Sequence, residues 1–213
     1  MKLRLFLVPA VCLGLLVFSA VSARSQTLIT FDDIVAFPTN NDGILSIVNG
    51  YQGLNWSNFW VLNLPRNLSH YGDTNGSYYG MVSPPNIAFN GSGNPAEIDS
   101  PNTNFNFLST YLTGGWNNNL NIEVQGFSGT NLVYDETKVV SATSPTLFTF
   151  DYLNIDRLYF NTFGGEPAGF PGGSGEQFVM DNFMFEFIPE PSTFLLAALG
   201  GVSLIAFLRR RRT

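Results

Sequence analysis

The chain has 213 residues and a formal net charge of −6, with 10 basic and 16 acidic side chains, one cysteine and one histidine. An acidic balance repels a phosphate backbone and excludes a nucleic-acid binder built on a basic groove. One cysteine rules out an intramolecular disulfide, and one histidine rules out any two-histidine metal site.

Taken in chain order, Lys2 and Arg4 precede an apolar run from Leu5 to Val21, which ends on the small residues Ser22 and Ala23. This is the charged, hydrophobic and cleavage-site grammar of a secretory signal helix over residues 1–23. Cleavage after Ala23 or after Ser25 fits equally well, and either removes Cys12.

The segment Gln26–Phe187 has three basic and 15 acidic side chains, a balance of −12. It contains 22 Asn, 18 Gly and 27 aromatic residues. Gly and Asn serve tight turns, while aromatic and β-branched residues suit pleated sheets. Strands are expected over Leu28–Phe31, Leu54–Leu62, Tyr78–Val82, Ile87–Phe89, Phe105–Leu112, Leu120–Val124, Leu132–Val140, Leu147–Tyr152, Arg157–Phe163 and Phe178–Phe187. Alternation is clear in Leu120, Ile122, Val124 and in Phe183, Phe185, Phe187. Gly126–Asn131 reads as a hairpin loop, and no window supports a long amphipathic helix. The expectation is an all-β domain, a jelly-roll-like β-sandwich over residues 26–187.

After Ile188 the grammar changes. Pro189, Glu190, Pro191, Ser192 and Thr193 lead into the uncharged run Phe194–Leu208 and then Arg209, Arg210, Arg211 and Arg212. Two prolines end strand pairing. Fifteen apolar residues make a transmembrane helix of about 22 Å, short against a hydrocarbon core of about 30 Å. The arginines place their side in the cytoplasm and the domain outside.

These residues resemble the PEP-CTERM sorting signal, with Ile188 where members often carry Val. The resemblance covers residues 188–213 only. It implies a Gram-negative exopolysaccharide producer, an exosortase as partner, and removal of the tail near the Pro-Glu-Pro motif. The implied route is a single pass through the inner membrane, domain on the periplasmic side, then the cell surface or extracellular matrix.

Catalytic chemistry is hard to find in the middle. His70 stands alone in what reads as a loop, Asn67–Gly76, and no Gly-x-Ser-x-Gly elbow accompanies it. Gly91–Ala96 matches a dinucleotide loop in spelling, but Pro95 follows where a helix must start, so it reads as a turn. Two candidate sites remain. Asp32 and Asp33 after the first strand and Asp181 within the last would converge on a structural Ca²⁺ if the terminal strands are neighbours. Trp116, between glycines and a run of three asparagines, is the residue expected to be exposed as a carbohydrate contact. Trp56 and Trp60, four apart in one expected strand, are assigned to the core.

The leading reading is a non-enzymatic, exported envelope or matrix protein. The alternative is a carbohydrate-binding module for exopolysaccharide. A polysaccharide-degrading enzyme, with a carboxylate pair among the 15 acids, is the third.

Overall fold

The computed structural model describes residues 25–35, 37, 42–188, 200, 201 and 210. Strands β1 (Gln26–Ile29), β2 (Ile44–Ser46), β3 (Asn55–Ser57) and β4 (Phe59–Asn63) open the domain. Two short helices follow, α1 (Leu64–Tyr71) and α2 (Gly76–Gly80). Then come β5 (Asn86–Asn90), β6 (Ala96–Asp99), β7 (Phe105–Gly114), β8 (Asn117–Asn118), β9 (Leu120–Ser128) and β10 (Asn131–Val140). The chain continues through β11 (Thr146–Ile155), β12 (Arg157–Phe163), β13 (Glu166–Pro167) and β14 (Phe178–Phe187).

Two antiparallel sheets face each other. One has the order β11-β7-β14-β5-β4-β2, with β1 also on β14; the other has the order β10-β9-β12-β6-β3. The β8 and β13 pair forms a small ribbon apart from both. Period-two patterning explains the core. Phe183 and Phe185 on β14 meet Ile122 and Val124 on β9 and Leu158 and Phe160 on β12 in one buried cluster. Trp56 sits inside it, edge-on to Phe31, Phe59 and Phe183. Tyr152 is buried with its hydroxyl donating across the sandwich to the Val124 carbonyl at 3.1 Å, so even the polar tip of that ring is satisfied.

The all-β sandwich agrees with the expectation from composition, and four local expectations do not survive. Leu54–Leu62 is not one strand. Asn58 adopts φ 55°, a left-handed conformation that breaks the run, and β3 joins the five-stranded sheet while β4 joins the seven-stranded one. Trp56 and Trp60 therefore part company: Trp56 is buried at 4%, and Trp60 is 36% exposed on the outer face. Residues 78–82 are not a strand. Asn75 Oδ1 accepts from the Ser77 amide at 2.9 Å and starts α2. The stretch Asn67–Gly76 is not all loop either. Asn63 caps α1 by accepting from the Arg66 amide, Pro65 occupies its first turn, and Gly72 ends it in the left-handed region. Gly126 is a strand residue, and the hairpin loop shrinks to Gly129 and Thr130. A side chain at Gly126 would strike the Tyr152 ring at 2.9 Å.

The terminal strands are neighbours, the condition on which the expected calcium site depended. Ile29 opposes Phe183 and Gln26 opposes Glu186. One edge of β14 runs along β7, while its other edge is shared, β5 taking Val179 and Met180 and β1 taking Phe183 to Glu186. The fold holds its last residue firmly: the Ile188 amide donates to the Asn104 carbonyl at 2.9 Å, and Thr103 Oγ1 donates to the Ile188 carbonyl at 2.8 Å. A chain covering Gln26–Ile188 is expected to melt in one cooperative transition by circular dichroism. Stopping at Asp181 removes the β1 partner and is expected to abolish that transition.

Among the described residues no helix is long and apolar enough to cross a membrane. The expected signal helix, residues 1–23, and the expected transmembrane run, apart from Gly200 and Gly201, lie outside the described residues.

Candidate binding cleft

Three hydrophobic side chains of the seven-stranded sheet, Leu62, Ile87 and Val179, join Leu64 of α1 in a second, smaller apolar cluster on its outer face. They arise because β4 and β5 alternate: Val61 and Ala88 point inward, so Leu62 and Ile87 point outward. The short helices and two glycine-rich loops fold over this face and leave a cleft of about 270 Å³. Ile44, Leu62 and Phe89 floor it. Asn67 and Tyr71 of α1 form one wall, and Asp73, Asn75 and Ser77 continue it. Gly115 and Trp116 face them, and Gly172 and Gln177 close the remaining side.

Glycine makes this closure sterically feasible. The Gly76 amide donates to the Gly115 carbonyl at 2.9 Å, and a Cβ on Gly76 would lie 1.8 Å from the Gly114 carbonyl oxygen. The segment from Gly164 to Gln177 straps the other side. Its Phe170 stacks on Tyr79 at 5.8 Å, the Ala168 amide donates to the Trp116 carbonyl at 2.8 Å, and Gly173 lies flush on the Trp116 ring.

Trp116 thus lines the cleft, but as a half-buried wall, not the exposed platform the sequence suggested. The exposed aromatic is Tyr71, 57% accessible at the end of α1, with His70 edge-on to it at 4.5 Å. Sequence reading passed over Tyr71 because α1 itself went unseen, although Asn63, Pro65 and Gly72 carry its start and stop signals.

The three aspartates nominated for calcium are placed as follows. Asp32 Oδ1 accepts from the Asn86 amide at 2.9 Å. Asp181 Oδ2 accepts from the amides of Val82 and Ser83 at 2.7 and 2.8 Å, and its Oδ1 accepts from Ser83 Oγ and the Asn182 amide. The two carboxylates therefore grip opposite ends of one segment, Val82–Asn86, at the point where β1 and β5 divide the edge of β14. Asp33 turns away and accepts from the Tyr51 hydroxyl and Gln52. Burial, with Asp33 adding to it, holds the Tyr51 hydroxyl protonated well above its usual range. Among the described residues no three acidic, histidine or cysteine side chains gather as a metal-binding group.

The outer face of the five-stranded sheet is polar. Arg157 lies over the Phe127 ring at 4.0 Å and pairs with Glu97 at 3.2 Å, and Asn161 donates to Glu123 at 3.2 Å. Its groups are largely paired with one another.

Of the sorting residues, Pro189, Glu190, Pro191, Ser192, Thr193, Arg209, Arg211 and Arg212 lie outside the described residues; Arg210 is among them. Residues 187–212 match the family described as the PEP-CTERM protein-sorting motif. No curated protein matches the chain. Solved structures similar to it include these three. A DUF4465 family protein from Bacteroides ovatus is 11% identical, over 76% of this chain and 94% of that one, with a TM-score of 0.40. TmCBM61, solved in complex with β-1,4-galactotriose, is 10% identical, over 68% of this chain and 97% of that one, with a TM-score of 0.34. The CBM51-2 and INT domains of ZmpB from Clostridium perfringens are 12% identical, over 55% of this chain and 26% of that one, with a TM-score of 0.30.

Proposed function

We propose that this chain, which carries the PEP-CTERM sorting motif, is an exported envelope protein whose non-catalytic jelly-roll domain is tethered at the inner membrane. An exosortase then processes its tail and releases the domain to the cell surface or matrix. The observation that carries this reading is the motif match at residues 187–212, beginning where β14 ends. The jelly-roll description rests on chain order. Successive strands change sheet from β6 to β7, from β10 to β11, from β11 to β12 and from β12 to β14.

The join between domain and tail supports the same route. Among the described residues the domain's hydrogen bonds reach Ile188, and in sequence the five residues 189–193 separate it from the apolar run. Fully extended, five residues span at most about 18 Å. Two prolines deny that stretch strand pairing and leave it open to an enzyme at the bilayer surface. Glu190 is its one charge, and the arginines beyond the apolar run resist passage through hydrocarbon.

Glu190→Ala is expected to leave export intact and block tail removal, so that unprocessed chain accumulates in the inner membrane at higher mass. Mass spectrometry of envelope and matrix fractions from the native host reads the outcome. Full-length protein with Arg209–Arg212 attached as the sole mature form would leave a plain anchor and overturn the sorting reading.

A further inference from the structure

We propose that the cleft on the outer face of the seven-stranded sheet binds an uncharged sugar ring of a polysaccharide, with Tyr71 as the stacking platform and Asp73 as a principal hydrogen-bond acceptor. Its walls suit the two sides of such a ligand. A sugar ring has apolar C–H faces, and Ile44, Leu62 and Phe89 below with Tyr71 and Trp116 at the sides offer apolar and aromatic surface for them. It also has a rim of hydroxyls, each able to donate a proton.

The polar groups of the cleft can both accept and donate. Asp73 is exposed and brings a carboxylate. Gln177 closes the side of the cleft beside Gly172. Asn75 has already committed its oxygen to the Ser77 amide, which leaves its Nδ2 to donate to a ligand oxygen. A rim that accepts at Asp73 and donates at Asn75 matches sugar hydroxyls, each of which does both.

Charge narrows the class further. Among the described residues no lysine or arginine lines the cleft, and the domain balance is −12, so a uronate, sulfate or phosphate group meets repulsion with no counter-charge among them. The volume lies just under the roughly 300–1,000 Å³ of sites that enclose a drug-sized ligand, which fits a ring or two of a chain that continues past the exposed Tyr71.

The site meets polysaccharide only outside the cytoplasm, so its use rests on export. Its binding, measured on purified protein, stands or falls apart from tail processing. The test is isothermal titration of the full-length chain in mild detergent with hexasaccharides of glucose, galactose and mannose, and with an alginate hexasaccharide as the anionic probe. At least one neutral hexasaccharide is expected to bind with a dissociation constant on the order of 1 mM or tighter, and the alginate probe is not. Tyr71→Ala and Asp73→Ala, both at exposed positions, are expected to keep the wild-type melt and weaken binding by about tenfold or more each. Tyr159→Ala, on the outer face of the other sheet, is expected to bind as wild type does. The inference is overturned if no neutral hexasaccharide binds at roughly 10 mM, if alginate binds as well as they do, or if both cleft variants retain full affinity. It is equally overturned if Tyr159→Ala alone abolishes binding.

Discussion

Asp181→Ala is expected to destabilise the domain by about 4 kcal/mol and lower its melting temperature by roughly 8–16 °C. The side chain is fully buried and takes four donors, two of them backbone amides at Val82 and Ser83 that have no other acceptor among the described residues. Each buried amide left unpaired costs about 1–3 kcal/mol, and the lost carboxylate adds a small cavity. The damage falls where β14 bulges at Asn182, φ 53°, between the stretches paired with β5 and β1. Asp32→Ala serves as the contrast. It frees one amide at the other end of the same segment and is expected to cost about 1 kcal/mol. Thermal melts of the two variants against wild type separate them.

The same residue sets a pH dependence. Burial pushes the Asp181 carboxyl above its ordinary value of 3.8, outweighing the opposite pull of the donors on Ser83, Val82 and Asn182. The native state then binds this proton more tightly than the unfolded chain. The contribution is fully present below the unfolded pKa and is lost as pH rises through the raised one. Asp181→Asn has no such proton, so the stability gap between wild type and Asp181→Asn is expected to narrow as pH rises through that window. A gap independent of pH would show that the carboxyl titrates as it does in the unfolded chain.

Gly76→Ala is expected to cost about 3 kcal/mol or more, from a single added methyl group. That methyl would lie 1.8 Å from the Gly114 carbonyl oxygen and 2.6 Å from that of Gly115, backbone atoms that no rotamer change can move aside. The Gly76–Gly115 hydrogen bond would break, and with it the seat of Trp116 against the α1 side of the cleft. Gly129→Ala is the control. Nothing lies within 4 Å of its added Cβ, so only its left-handed φ of 59° resists the change, at about 1 kcal/mol. A melt in which Gly76→Ala matches Gly129→Ala would contradict the close approach of these two turns.

The sequence by itself determined the sorting motif and the all-β class of this protein. Lys2, Arg4 and the run to Val21, and the order of Pro189–Thr193, apolar run and arginines, are local patterns whose physics needs no fold: charge, hydropathy and small residues. The all-β architecture was legible for the same reason, since Phe183, Phe185 and Phe187 alternate whatever they face. Tertiary structure alone decided which sheet each strand joins. One left-handed residue, Asn58, sends Trp56 into the core and leaves Trp60 outside, and nothing local marks that asparagine from the others. Composition presents the asparagines as turn residues. The fold instead buries Asn86 and Asn90 as clamps: Asn86 Nδ2 donates to the carbonyls of Phe31 and Ile34, and Asn90 Oδ1 accepts from the Phe178 amide. The cleft is assembled from α1, the Gly115–Trp116 turn and the Gly164–Gln177 strap, segments about fifty residues apart in the chain, so its shape depends on long-range pairing that no short window of sequence contains.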